Sequence, residues 1–314
     1  MITDEDLIIQ IHHIGGSDDV GPVSSMVGLT NSVFWTFYDA EKTSFYDGDI
    51  GDMNHRLIDK CIGGKDGKVK FNILVNPSAS STFLPAKSAS RYVMPLNPDG
   101  KSTTWGEHTK LDRVVDMDIN RLDTLLSKGE INPIDVLSID AQCSEYDIIK
   151  GTGDNLKDVL AVICEVEFEP LYEGQKLYGD IDKLLRDEGF RVCVIYNPQY
   201  FTHCPYPNKR GQGFLTVSEA LFLRNPETLY KRFYDEMPQE EFEKVVTKCI
   251  KLAMAGLSFN QPEFAYDIIN TLKNSKVISI DKLIKESKHP YFKIFKKLIE
   301  GTLELKFIHE RHSS

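Results

Sequence analysis

The sequence predicts an α/β protein built on a doubly wound, seven-stranded sheet, followed by a C-terminal helical appendage. Three observations carry this. Seven short apolar or β-branched runs alternate with helical stretches over the first 224 residues, and several are apolar almost throughout, as strands covered on both faces must be. Beyond residue 225 the apolar spacing becomes helical, and the charge balance changes with it.

The runs are Leu7 to Ile14, Ser32 to Tyr38, Val69 to Val75, Ile134 to Ile139, Val159 to Val166, Phe190 to Tyr196 and Phe214 to Leu223. Glycine and proline punctuate their ends, with Gly15-Gly16 after the first, Asn76-Pro77 after the third and Gly189 before the sixth. Gly151 to Gly153 closes a helix. The last two runs have no long helix between them, which predicts an antiparallel pair at one edge. Residues 238 to 254 carry Phe242, Val245, Val246, Cys249, Ile250 and Ala253 at helical spacing, and two or three further helices follow up to Phe307. Residues 225 to 314 hold 15 Lys and Arg against 13 Asp and Glu, leaving 22 against 34 before them. The expected division is therefore 1 to 224, carrying the chemistry, and 225 to 314, packing on it.

A net charge of -10 on 314 residues argues against nucleic acid or anionic lipid as partner, because both need a basic surface. A small molecule or glycan fits better, and nothing bears on oligomeric state. The chain has no run of 18 apolar residues and starts Met-Ile-Thr-Asp-Glu-Asp, so a membrane span and a signal peptide are not expected. The six cysteines form no C-x-x-C pair and mostly sit in apolar runs, which reads as buried, reduced thiols in a cytoplasmic protein.

In an open sheet, ligands bind beyond the carboxyl ends of the strands, beside the first strand. There the chain reads His12-His13-Ile14-Gly15-Gly16-Ser17-Asp18-Asp19, a turn whose glycines let a ligand touch backbone. The second run ends in Asp39, a carboxylate suited to a ribose cis-diol, or else a helix N-cap. NAD and S-adenosylmethionine fit these features equally. Asp18 and Asp19 favour the sulfonium cofactor, since they would repel a pyrophosphate.

The most informative stretch is Ile134-Asp-Val-Leu-Ser-Ile-Asp140-Ala-Gln142-Cys143-Ser-Glu145-Tyr-Asp-Ile-Ile-Lys-Gly151. It resembles the fourth-strand motif of the FkbM family of S-adenosylmethionine-dependent methyltransferases. Further segments are similar in family order: Asn76-Pro-Ser-Ala-Ser80-Ser81, Arg121-Leu-Asp123, Glu165-Val-Glu167-Phe-Glu-Pro-Leu-Tyr172 with Gly174-Gln175, and Glu219-Ala-Leu-Phe-Leu-Arg224. The resemblance implies a class I, Rossmann-like methyltransferase fold and transfer of a methyl group to the oxygen of a sugar, glycan or polyketide hydroxyl. By position it implies that Gly15, Gly16, Ser17, Asp39, Ser81 and Asp140 line the cofactor, and that Asp140, Glu145 and Glu165 face the reacting centre.

Three residues depart from the family pattern. His13 replaces an acid, Asp19 a glycine and Cys143 a glycine, where a side chain crowds the turn or demands costly dihedrals. Asp140 at a strand end suits a general base. With Glu145 and Glu165 it could instead hold Mg²⁺, or all three could serve as caps and ion pairs. His203, in an aromatic and proline-rich loop, is the candidate acceptor-side residue, with an ordinary hairpin connection as its alternative. His12 and His13 read as hydrogen-bonded core histidines, and His108 as a weaker acid-base candidate in a lid-like segment. A catalytically inactive cofactor- or sugar-binding module and a nicotinamide oxidoreductase are the readings from other classes.

Overall fold

The computed structural model describes residues 2–15, 32–39, 54–95, 102–203, 211–234, 238–275, 282–283, 286–287 and 289–302. In chain order the strands are β1 (Ile9–Gly15), β2 (Val33–Asp39), β3 (His55–Asp59), β4 (Cys61–Ile62), β5 (Gly67–Leu74), β6 (Leu111–Asn120), β7 (Val136–Asp140), β8 (Ala161–Glu167), β9 (Phe190–Phe201) and β10 (Phe214–Arg224). Seven of them form the main sheet in the order β3-β2-β1-β7-β8-β10-β9. The pairings from β3 to β8 are parallel, and β10 runs antiparallel to both neighbours. This is a class I methyltransferase-like arrangement. The strand order reverses between β1 and β7, so the ends of these two strands bound the ligand crevice.

One expected strand lies elsewhere. The run Val69 to Val75 is not the third strand of the main sheet; its β5 pairs with β6, in a small sheet of order β4-β6-β5. The third position belongs to β3, His55-Arg-Leu-Ile-Asp59, whose residues alternate between exposed and half-buried. An edge strand with one wet face carries no continuous apolar run, so it did not stand out by composition.

Alternation along the strands divides the core in two. Ile9, Ile11, Trp35, Val136, Ile163, Leu221 and Leu223 face one cluster, which also contains buried residues of α6 (Gln239–Ser258), α7 (Pro262–Asn274) and α8 (Pro290–Ile299). Leu137, Ile139, Val162, Cys164, Val166, Ala220 and Phe222 face the other, against α2 (Leu122–Ser127), α3 (Glu145–Gly151) and α4 (Tyr178–Asp187). The C-terminal helices thus form a layer on the sheet itself. Buried Asp135, just before β7, fixes α6 there: its carboxylate accepts from Lys248 Nζ at 2.7 Å and Lys251 Nζ at 2.8 Å, and from the Gln10 amide at 2.9 Å.

At the end of β10, buried Arg224 donates to the carbonyls of Val159 and Leu156 at 2.5 Å and of Glu188 at 3.0 Å, with its guanidinium over the Phe190 ring. It closes turns that would otherwise bury bare carbonyls. Cys143, Cys164 and Cys249 are buried free thiols, Cys61 and Cys193 are half-buried and free, and Cys204 lies outside the described residues. Among the described residues no helix is long and apolar enough to cross a membrane.

Candidate active site

The site begins where β1 and β7 meet. Gly15 and Asp140 are register partners, and Gly15 has φ +78°. A Cβ on Gly15 would lie 1.8 Å from the Asp140 carbonyl oxygen, so only glycine lets the two strand ends touch. Its freedom is used against protein backbone.

Beyond Asp140 the chain turns sharply through Gln142 at φ 45° and Cys143 at φ 77°, two consecutive non-glycine residues in the left-handed region. Such residues cost about 1 kcal/mol or more each and persist where surrounding contacts hold them. Here the contacts are specific. Glu145, the first residue of α3 and 1% exposed, accepts from the Ala141 amide at 2.9 Å. Ser81, fully buried, donates to the Gln142 carbonyl at 2.5 Å and accepts from the Phe83 amide at 3.1 Å. The Ser81 hydroxyl, expected on the cofactor, is thus engaged in holding this turn.

The turn presents the Gln142 side chain to the carboxylates. Its Nε2 donates to Asp140 Oδ1 at 3.0 Å and to Glu165 Oε2 at 2.9 Å, while the Tyr172 hydroxyl lies 3.3 Å from its Oε1 and donates to the Ala79 carbonyl at 2.8 Å. Glu165 and Glu167 are two apart on β8 and so share a face, and Glu219 of β10 is the register partner of Glu165. Asp140, Glu165, Glu167 and Glu219 therefore lie on three adjacent strands, with Glu145 at the start of α3.

Burial raises Glu165, Glu145 and Glu167 above the usual carboxylate range, and neighbouring acids raise them further: Asp140 acts on Glu165, and Glu167 on Glu145. Glu167 is pushed up to about 7, which lets it exchange a proton near neutrality. Burial, then the Glu167 charge, holds the Cys143 thiol in its protonated form.

A third apolar cluster covers this group. Ala86, Ala89, Trp105, Leu171, Tyr172 and Phe201 pack with Cys143, and Trp105 Nε1 donates to the Leu171 carbonyl at 3.0 Å. The segment around α1 (Trp105–His108) thereby roofs the Gln142 turn. His108, half-buried in that roof, has its Nε2 2.6 Å from the Asn76 amide nitrogen and stacks on Trp105.

Gly15, Ser81, Asp140, Glu145 and Glu165 are thus brought to one place. Asp39 ends β2 beside them, with its backbone in register with Asp59. Gly16 and Ser17 lie outside the described residues, as do Asp18 and Asp19. His203 is exposed and stacks on Tyr92 at 4.9 Å and Phe214 at 4.5 Å between centroids, so its ring is tied into a protein stack at the rim. His12 and His13 are the core histidines expected: their Nδ1 atoms lie 2.7 Å from the Tyr38 hydroxyl and 2.9 Å from Ser138 Oγ, and burial pushes His12 down to about 3. Among the described residues no group of three or more His, Cys, Asp or Glu is arranged to hold a metal ion, including the Asp140, Glu145 and Glu165 set considered for Mg²⁺.

The roles of Gln142, Glu167 and Tyr172 were not apparent from the sequence. All three stand in the motifs that carry the resemblance, and the signal for Glu167 was its spacing of two from Glu165 on a strand.

Residues 50–192 match the family model of the methyltransferase FkbM domain. Over these residues the chain is similar to FkbM methyltransferase domains. The match runs from just before β3 into β9, and it includes the Gln142 turn and the β8 carboxylates. No curated protein and no solved structure matches the chain.

Proposed function

We propose that the chain is an O-methyltransferase that uses S-adenosylmethionine to methylate a hydroxyl of a sugar or glycan. What supports the reading most is one juxtaposition: the glycine end of β1 and the Asp39 end of β2 lie on one side of Asp140, with the β8 carboxylates on the other. Bound S-adenosylmethionine supplies an electrophilic methyl group on a sulfonium, and no phosphate. Gly15, Gly16, Ser17 and Asp39 are its side of the crevice in this reading, with the Asp39 carboxylate accepting from the ribose diol. Asp140 takes the proton of the acceptor hydroxyl as its oxygen gains the methyl group. Gln142 orients that carboxylate, and the roof around Trp105 limits water. The free cysteines accord with a cytoplasmic setting.

The decisive experiment is release of S-adenosylhomocysteine, followed by mass spectrometry, with a panel of sugar and glycan acceptors. Asp140→Asn is expected to lower turnover by roughly two orders of magnitude or more, the typical contribution of a general base, while cofactor affinity by calorimetry changes little. No cofactor binding and no product with the intact chain would reject the reading. Loss of turnover on chelation, restored by Mg²⁺, would move Asp140 from base to metal ligand.

The left-handed Cys143 and the engagement of His13 with Ser138, both at departures from the family pattern, favour a second reading. This is a module that binds cofactor or sugar without turnover. Cofactor binding with no product on any acceptor would support it.

A further inference from the structure

The carboxylates of Asp140, Glu145, Glu165 and Glu167 meet where β7 and β8 end. Among the described residues no Lys or Arg forms an ion pair with Asp140, Glu145, Glu165 or Glu167. Hydrogen bonds account for part of the group: Gln142 donates to Asp140 and Glu165, and the Ala141 amide donates to Glu145. Glu167 differs from these. It is 2% exposed, and its Oε2 is buried without a hydrogen-bond partner. It stands two residues after Glu165 on β8, so its side chain leaves the strand on the same face as that of Glu165. A buried carboxylate oxygen with no donor is costly, and a ligand that brings a donor removes that cost.

The position of Glu167 separates it from the cofactor side. β7 lies next to β1, and β8 is one strand further, about 5 Å beyond Asp140 and about 10 Å from the β1 glycine end. A donor that meets Glu167 therefore comes from the molecule on the acceptor side of Asp140.

We propose that the acceptor carries a protonated amine close to its reacting hydroxyl, as an amino sugar does, and that Glu167 with Glu145 and Glu165 receives this ammonium. The inference rests on the methyltransferase reading only for which side of Asp140 the acceptor occupies. An ammonium brings three donors and one positive charge, and among the described residues no Lys or Arg supplies that charge to Glu145, Glu165 or Glu167. A neutral or N-acetylated sugar would leave Glu167 Oε2 without charge compensation.

The test uses the full chain saturated with S-adenosylhomocysteine, so that cationic positions belonging to the cofactor are filled. Calorimetric titration near neutral pH compares D-glucosamine with N-acetyl-D-glucosamine and D-glucose as probes. Glucosamine is expected to bind roughly tenfold or more tightly than either neutral sugar, the usual gain of one charge-assisted hydrogen bond. The preference should weaken as salt is raised. Glu167→Gln, with its fold checked by circular dichroism, should lose the preference while keeping S-adenosylhomocysteine affinity. Equal affinity for the three probes, or affinity for none of them, overturns the proposal. Failure of S-adenosylhomocysteine itself to bind, read in a separate titration, is a failure of the methyltransferase reading, and the wild-type probe comparison without it still decides the amine preference.

Discussion

At the scale of single residues, the site combines backbone strain with buried charge. Cys143 holds φ 77° where glycine would be unstrained, yet its side chain is buried in the cluster under Trp105. Cys143→Gly and Cys143→Ala both remove that packing, but only glycine also relieves the dihedral. The glycine variant should be about 1 kcal/mol more stable than the alanine variant in urea unfolding, and the reverse order would show that the turn is not strained. Glu167 gives a prediction in pH. Its carboxyl is raised to about 7 in the folded chain against an ordinary value of 4.5, so between these values the folded state holds a proton that the unfolded state has released. That contribution is fully present below the lower value and is lost as pH rises through the upper one, at roughly 3 kcal/mol in total. Glu167→Gln keeps the neutral form at all pH, so its melting temperature should gain on the parent steadily from about pH 5 to pH 8. Comparing variant with parent cancels the opposite effect of buried His12, which is held down to about 3 and opposes folding in acid. Asp39→Ala should weaken S-adenosylmethionine binding by roughly one to two orders of magnitude through loss of two charge-assisted hydrogen bonds, measured by calorimetry.

At the scale of elements, the sheet was readable wherever both faces are dry. Six of the seven apolar runs are strands of the main sheet; β1, β2, β7 and β8 are parallel and apolar because they are buried along their length, and β9 and β10 add the antiparallel edge. The exception, Val69 to Val75, alternates apolar residues with Lys70 and Asn72 and pairs in the small sheet, while polar β3 takes the edge of the main one. Local composition reports burial, and it does not report which neighbour a strand pairs with. The contact between β7 and α6 offers a test at this scale. Asp135→Ala leaves Lys251, whose side chain is 11% exposed, without its carboxylate, and should cost about 3 kcal/mol or more in unfolding experiments. Asp135→Ala combined with Lys251→Met should recover part of that loss; no recovery would mean that the carboxylate acts mainly through the Gln10 amide.

At the scale of the whole molecule, the region after residue 225 is bound to the rest through one core. Ile9, Ile11, Trp35 and Leu221 of the sheet share a cluster with Val246, Ile250, Ile269 and Phe292 of the C-terminal helices. Truncation after Arg224 would bare that sheet face. The fragment is expected to aggregate and to lose a cooperative thermal transition, read by light scattering and calorimetry. A monomeric fragment that melts cooperatively would show that the remaining residues form a sufficient core alone.

The sequence by itself determined the fold class, the antiparallel β9–β10 pair, the main C-terminal helix and the motifs around Asp140 and Glu165. Each of these depends on apolar period or on residues adjacent in the chain, and such signals are local. Only the tertiary structure decided that Ser81 holds the Gln142 turn, that Gln142 joins Asp140 to Glu165, and that Glu167 Oε2 is left without a donor. The Ser81–Gln142 and Gln142–Glu165 bonds join residues 61 and 23 positions apart, and burial and hydrogen-bond partnership over such distances are fixed by packing.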